Sequence, residues 1–224
     1  MLSSPPANRM IRLFLIDDQA MIRAAFKSML EERGDFQVLG EGGDARQAIE
    51  ECRELRPDVV LLDISMPGLS GIDAIPMLRK ACPRTRVIMV THHESESFVG
   101  QALRAGAEGY LSKDSDPAEL ALAIQAVHRG DPYVSPKVSR GFVRGLRGGE
   151  ANEAPKSALE CLTPREREVF QLLALGHANK EVARDLGMSL GTAKKHRENL
   201  QRKLDCHSAA ELARLAIREG LLEE

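Results

Sequence analysis

Between residues 10 and 130, short apolar runs alternate five times with longer amphipathic stretches, a repeat that few chain architectures accommodate. The runs fall at residues 11–16, 36–40, 59–62, 87–90 and 109–111. Val59-Val60-Leu61-Leu62 has no polar alternation, so a strand made of it must be covered on both faces. Such a repeat predicts parallel strands joined by crossover helices, hence a doubly wound α/β fold. The last of these helical stretches opens on Asp116, Pro117 and Glu119, which supply an N-cap, a first-turn proline and the returning carboxylate of a capping box.

Beyond residue 130 the repeat stops. Tyr133-Val134-Ser135-Pro136 reads as the start of a short linker helix carrying Val138, Phe142 and Leu146, weakened by Gly141 and Gly145. Gly148-Gly149-Glu150-Ala151-Asn152-Glu153-Ala154-Pro155 has no apolar period and reads as a connector. From Leu162 the pattern is helical throughout, opening on a Thr163–Glu166 capping box and closing on a helix capped by Ser208 and Glu211. The expected organisation is an α/β domain at 10–129, a linker at 130–157 and a smaller all-α domain at 158–224.

Composition narrows the classes. The 224 residues carry 31 basic and 33 acidic side chains, so no overall bias toward nucleic acid or anionic lipid exists, and any bias must be local. Residues 10–130 hold 14 basic against 19 acidic side chains and residues 155–224 hold 12 against 11, which gives the two halves different electrostatic tasks. The four cysteines, Cys52, Cys82, Cys161 and Cys206, lie at least 30 residues apart, without zinc-site pairing or the density of a secreted disulfide scaffold; they read as reduced thiols. Apolar stretches reach five or six residues, against the ~18 a membrane helix needs, and no apolar segment follows Met1-Leu2-Ser3-Ser4-Pro5-Pro6. A cytoplasmic protein without membrane contact is expected.

In an open parallel sheet, ligands bind beyond the carboxyl ends of the strands. There the first run ends in Asp17-Asp18, the third in Asp63 and the fourth in Thr91, while Lys113 follows the fifth. With strands in the order 2-1-3-4-5, these meet in one pocket. Three carboxylates at close range repel one another, and a divalent ion with oxygen ligands, Mg²⁺ in preference to Ca²⁺, resolves that repulsion. An ammonium and a hydroxyl beside Mg²⁺ suit the equatorial oxygens of a transferring phosphoryl group, with one carboxylate as nucleophile. A dinucleotide site would need glycines where Asp17-Asp18-Gln19-Ala20 stands, and an aspartate-dependent phosphohydrolase would want a carboxylate where Ser65 follows Asp63 by two.

The segments Phe14-Leu15-Ile16-Asp17-Asp18, Leu61-Leu62-Asp63-Ile64-Ser65-Met66-Pro67-Gly68-Leu69-Ser70-Gly71 and Tyr110-Leu111-Ser112-Lys113 resemble the receiver domain of bacterial response regulators over residues 10–129. The resemblance implies a five-stranded, flavodoxin-like sheet with Asp63 as phosphoacceptor. It implies Mg²⁺ held by Asp18, Asp63 and the Ser65 backbone carbonyl, with Asp17 assisting through water. Thr91 and Lys113 would grip the phosphoryl oxygens, and Tyr110 would be a switch aromatic that turns inward as the Thr91 hydroxyl is drawn toward the phosphate. Gln19 stands where this class often has histidine, and His92-His93 follow Thr91. His93 is placed to affect the access of water to the acyl phosphate.

In the C-terminal part, residues 179–186 form a short amphipathic helix ended by Gly187, and Ser189 caps a second helix running to residue 204. Ala193, Leu200 and Leu204 mark its core side, and residues 189–204 hold five basic side chains against Glu198 alone. Together they read as a helix-turn-helix. The segments Leu162-Thr163-Pro164-Arg165-Glu166-Arg167-Glu168-Val169, Asn179-Lys180-Glu181-Val182-Ala183 and Thr192-Ala193-Lys194-Lys195-His196 resemble the DNA-binding domain of LuxR-type regulators over residues 158–224. By that resemblance the helix from Ser189 enters the major groove with Lys194 and Lys195 near base edges. Lys180, Thr192, Arg202 and Lys203 lie nearer phosphates, beside His196 and Arg197 on the same helix. The last helix, with Leu212, Leu215 and Ala216, is the implied dimer surface. Ala193 stands where valine is commoner, and Gly191 weakens the first turn.

The two resemblances in this order identify a two-component response regulator of the NarL/FixJ class. They imply a transcription regulator, not an enzyme, that takes phosphate from a sensor histidine kinase, binds double-stranded DNA and forms a homodimer on phosphorylation or DNA binding. The charge difference between the halves suggests that the acidic domain covers the basic helix until phosphorylation. The alternative is a signalling adaptor acting through protein partners.

Overall fold

The computed structural model describes residues 10–139 and 158–219. Its first part runs β1 (Ile11–Ile16), α1 (Ala20–Glu31), β2 (Phe36–Gly42), α2 (Ala45–Leu55), β3 (Val59–Leu62), α3 (Gly71–Ala81), β4 (Arg86–Thr91), α4 (Glu96–Ala105), β5 (Gly109–Ser112), α5 (Pro117–Arg129) and β6 (Tyr133–Val134). All strand pairs are parallel, in the order β2-β1-β3-β4-β5-β6. Alternate residues of each strand enter different cores, which is why the runs are apolar on both faces. Phe14, Ile16, Val60, Leu62, Met89 and Tyr110 pack with α2, α3 and α4. Leu13, Leu15, Leu61, Ile88, Val90 and Leu111 pack with α1 and α5.

The sheet therefore has one strand more than the five expected. Tyr133-Val134, read from sequence as the approach to a helix, pairs with Gly109-Tyr110 of β5 before a helix starts at Pro136. Tyr133 N–H donates to the Glu108 carbonyl and Ser135 N–H to the Tyr110 carbonyl, both at 3.0 Å. Two residues are too few for a period-2 signal, so tertiary pairing alone defines this strand. The same strand alters the expected capping box of α5. Asp116 accepts from Ala118 N–H at 2.7 Å as an N-cap should, but the Glu119 carboxylate takes the Tyr133 hydroxyl at 3.2 Å. Phe142, Leu146 and the 148–155 connector lie outside the described residues.

The second part consists of a 3-10 turn (Ala158–Cys161), α6 (Pro164–Ala174), α7 (Asn179–Asp185), α8 (Leu190–Leu204) and α9 (Ala209–Arg218). Capping boxes at Thr163–Glu166 and Ser208–Glu211 are present with both arms. Gly187 has a positive φ of 60° between α7 and α8, and the Ser189 hydroxyl accepts from Thr192 N–H at 3.1 Å to cap α8. Leu159, Val169, Phe170, Leu173, Val182, Ala193, Leu200, Leu212 and Leu215 form the core of this part. Leu212, Leu215 and Ala216 are thus buried inside it and are not a free dimer surface. A ten-residue helix packed on α6 buries its apolar stripe within its own domain.

Candidate functional site

The carboxyl ends of β1, β3, β4 and β5 bring the expected polar residues together. Ligand oxygens of Asp17, Asp18 and Asp63 all lie within 4.8 Å of one another. Asp17, Asp63 and Thr91 are buried, whereas Asp18 is exposed. The Lys113 ammonium, its side chain 2% exposed, donates to Asp17 Oδ2 at 2.7 Å and to Asp63 Oδ2 at 3.1 Å. The remaining Asp17 oxygen accepts from Gln19 N–H and the remaining Asp63 oxygen from Ile64 N–H, at 2.9 and 2.8 Å. Burial holds the Asp17 carboxyl above its ordinary range, with the Asp63 charge adding to the effect; Asp18, exposed on its outer side, is raised by partial desolvation beside the cluster and then by the Asp17 charge. Burial alone would push Lys113 down, but Asp63 and Asp17 outweigh it and raise it. Two buried carboxylates against one ammonium leave negative charge at the pocket, and the three oxygen donors fit a hard divalent cation.

Local sequence builds the loop that presents Asp63. Gly71 N–H donates to the Ile64 carbonyl at 3.0 Å, and a Cβ on Gly71 would stand 1.8 Å from the Asp63 carbonyl oxygen. Only glycine permits α3 to start this close to β3. Ser70 caps α3, its hydroxyl accepting from Asp73 N–H at 3.3 Å.

Above the pocket, Ser65 Oγ and His93 Nε2 share a hydrogen bond of 2.6 Å that ties the β3–α3 loop to the β4–α4 loop. The His93 ring stacks on Phe98 with centroids 4.6 Å apart. The Tyr110 ring is already fully buried, its hydroxyl donating to the His93 carbonyl at 2.6 Å. The ring therefore points inward in the structure described. Sequence reasoning missed Arg23, whose guanidinium donates to the Asp17 carbonyl at 2.6 Å, and Glu94, which accepts from the Ser112 hydroxyl at 2.6 Å. Neither adjoins a motif residue in a telling way; helical spacing from Gln19 was the only signal for Arg23.

On α8, Ala193 and Leu200 face the core and Leu204 packs against it, as the spacing predicts. Lys195 and Arg202 lie opposite, with Lys194 at the edge of that open face; all three are exposed, as are Thr192 and, on α7, Lys180. His196 and Arg197 flank the core side and are half-buried. Lys203 is engaged otherwise: its ammonium donates to Glu166 Oε2 at 2.6 Å and to the Cys161 carbonyl at 3.1 Å, which straps α8 to the start of α6. Despite burial, this ammonium and the Thr163 N–H hold the Glu166 carboxyl below its ordinary value.

The two parts touch through α6. Arg167 donates to Asp73 Oδ1, in the first turn of α3, at 2.6 Å, and Arg46 of α2 pairs with Glu168, which Arg165 also contacts. In this arrangement the acidic part does not cover the basic helix, since Lys194 and Lys195 stand exposed. Charge complementarity is satisfied by discrete pairs on α6, not by the net charges of the two halves.

The pattern of the response regulator receiver domain matches residues 13–125, and that of the bacterial regulatory proteins of the luxR family matches residues 160–216. The transcriptional regulatory protein MctR of Rhizobium johnstonii is 37% identical over 214 residues, covering 96% of each chain. The oxygen regulatory protein NreC of Staphylococcus carnosus is 31% identical over 217 residues, covering 95% of this chain and 100% of that one. Among solved structures, a LuxR-family two-component response regulator from an Aurantimonas species superposes with a TM-score of 0.59 at 34% identity, covering 61% of this chain and 98% of that one. The Salmonella typhimurium response regulator RcsB does so with a TM-score of 0.59 at 25% identity, covering 94% and 100%. The phosphoryl-site geometry, the helix-turn-helix and these likenesses agree: the chain belongs to the two-component response regulators of the NarL/FixJ class, a receiver domain followed by a LuxR-type helix-turn-helix domain.

Proposed function

We propose that the protein is a DNA-binding transcription regulator controlled by phosphoryl transfer from a sensor histidine kinase to Asp63. Residues 10–129 are read as the receiver, 130–157 as the linker and 158–224 as the DNA-binding domain. The observation that carries the reading is the convergence of Asp17, Asp18 and Asp63 within 4.8 Å, with Lys113 bonded to two of them. An Asp63 carboxylate oxygen attacks the phosphorus of a phosphohistidine, the P–N bond breaks with its electron pair left on the imidazole, and an acyl phosphate results. Asp17, Asp18, Asp63 and the Ser65 carbonyl would hold Mg²⁺, which supplies charge neutralisation at the phosphoryl oxygens. Lys113 exchanges one Asp63 oxygen for a phosphoryl oxygen, and the Thr91 hydroxyl donates to another.

The output is DNA binding through the open face of α8. Lys194 and Lys195 are the candidates for base edges, with Lys180, Thr192, His196, Arg197 and Arg202 around them; Lys203 reaches phosphate only if it leaves Glu166. One basic helix meets few phosphates, so a homodimer on two half-sites is the natural way to useful affinity. The described residues contain no helix long and apolar enough to cross a membrane, and a cytoplasmic location fits the four free cysteines.

The test is incubation of the whole protein with acetyl phosphate and magnesium. The expected result is a base-labile adduct on Asp63, absent in Asp63→Asn, together with tighter, salt-dependent binding to promoter DNA and increased self-association. Absence of the adduct overturns the phosphoacceptor reading. An adduct without salt-dependent, sequence-selective DNA binding would favour a signalling adaptor instead.

A further inference from the structure

The linker to the DNA-binding domain starts on the phosphoryl-binding loops themselves. Glu94, three residues beyond Thr91, places one carboxylate oxygen, Oε1, against both the Ser112 hydroxyl and the Lys137 ammonium, each at 2.6 Å. Ser112 precedes Lys113, and Lys137 lies in the helix that starts the linker at Pro136. Asp114, 3.9 Å from the Lys137 ammonium and 3.6 Å from the His92 ring, completes the cluster. One residue before Glu94, the His93 carbonyl holds the Tyr110 hydroxyl, and the Tyr110 carbonyl holds Ser135 N–H at 3.0 Å. Val138 is buried in the same core as Tyr110. The segment 133–138 is thus fixed to β5 along its backbone and to the β4–α4 loop through one ion pair.

Resting on the phosphoacceptor reading above, we propose that Glu94 and Lys137 form a clasp that passes displacement of the Thr91–Glu94 loop directly to the start of the interdomain linker. Thr91 ends β4, and His93 and Glu94 follow it in one short loop, so drawing the Thr91 hydroxyl toward a phosphoryl group drags Glu94, and Lys137 follows it or loses it. In either case the tie between the β4–α4 loop and the start of the linker changes. The surface of α4, β5 and α5 need not change for the signal to reach the second domain. The pair is half-exposed, so its strength is modest, as suits a contact that must yield to phosphorylation.

The experiment is hydrogen exchange at the amides of Tyr133, Ser135, Val138 and Ser139, which donate to Glu108, Tyr110, Ser135 and Ser135 carbonyls. It uses the full chain as wild type, Lys137→Met, Glu94→Gln and Lys137→Arg, with and without acetyl phosphate and magnesium. Without the phosphodonor, Lys137→Met and Glu94→Gln are expected to exchange roughly two- to fivefold faster than wild type, with Lys137→Arg close to it. With the donor, exchange at these amides changes in the wild type and changes by less than half as much in Lys137→Met, although phosphate-affinity electrophoresis reports equal adduct on Asp63. Unaltered exchange in both Lys137→Met and Glu94→Gln, or an undiminished response to the donor, overturns the clasp. A lack of adduct in every protein overturns the phosphoacceptor reading instead, while the donor-free comparison still decides whether the clasp exists.

Discussion

Asp17, by burial, and Asp18, by partial desolvation and the Asp17 charge, are held above the ordinary carboxyl value of 3.8, so the folded chain binds their protons more tightly than the unfolded one. Below 3.8 both states are protonated and these groups cost nothing; as pH rises through the elevated folded values, stability is lost, and the full cost persists at neutral pH. A divalent cation needs both carboxylates ionised and offsets that cost. The magnesium-induced rise in Tm is therefore expected to be larger at about pH 7.5 than at about pH 5, read by differential scanning calorimetry. Equal rises at both values would contradict the buried-carboxylate account. Lys113 does not blur this comparison, since Asp63 and Asp17 keep it charged throughout. His93 is bridged to Ser65, two residues beyond Asp63, which places it to affect the approach of water to an acyl phosphate there. His93→Ala is predicted to change the half-life of the acyl phosphate severalfold, measured by loss of radiolabel; an unchanged half-life would dismiss this role.

Among the elements, α3 depends on the absence of a side chain at its first residue. A Cβ on Gly71 would meet the Asp63 carbonyl oxygen at 1.8 Å, so Gly71→Ala must push α3 away from β3. We expect a loss of about 1–3 kcal/mol in urea unfolding and a marked fall in the rate of phosphorylation by acetyl phosphate. A variant with wild-type stability and rate would mean that α3 shifts freely. The basic helix α8 divides its charges between two uses. Lys203 straps it to Glu166 of α6, whereas Lys195 is free on the open face. Lys203→Ala should then lower Tm, with Lys195→Ala leaving Tm unchanged and reducing the salt slope of DNA binding by about one. The reverse assignment of effects would refute this division. The arginine and glutamate pattern at the start of α6 resembled the family, but which of those charges serve the domain and which reach outward was not legible, because residues three or four apart look alike in sequence.

For the whole molecule, contact between domains rests on Arg167 with Asp73 and Arg46 with Glu168. Glu168 is 3% exposed and Asp73 7% exposed in their side chains, whereas Arg46 is half-exposed, so the carboxylates are desolvated and the arginines reach them from nearer the surface. Removing Arg167 leaves the buried Asp73 carboxylate without its arginine, which costs more than the pair's net worth, whereas Glu168 keeps Arg165 when Arg46 is removed. The double variant Arg46→Ala/Arg167→Ala is expected to let the domains part, raising the radius of gyration in small-angle X-ray scattering of the unphosphorylated protein. An unaltered radius would show that other contacts hold them. Because Asp73 lies in the first turn of α3, two residues past Gly71, the domain contact sits close to the phosphoacceptor loop.

Legible along the chain alone were the parallel α/β architecture, the helix-turn-helix, most of the caps, the grouping of Asp17, Asp18, Asp63 and Lys113, and the place of Thr91 at the end of β4. These follow from periodicity, capping chemistry and the rule that strand ends gather polar groups, all of them local or topological signals. Tertiary structure alone decided the sixth strand, the burial of Leu212 and Leu215, the diversion of Glu119 and Lys203 to new partners, and the docking of domains through α6. Each of these depends on which distant residue fills a given space or supplies the missing hydrogen-bond partner, and no spacing along the chain encodes that choice.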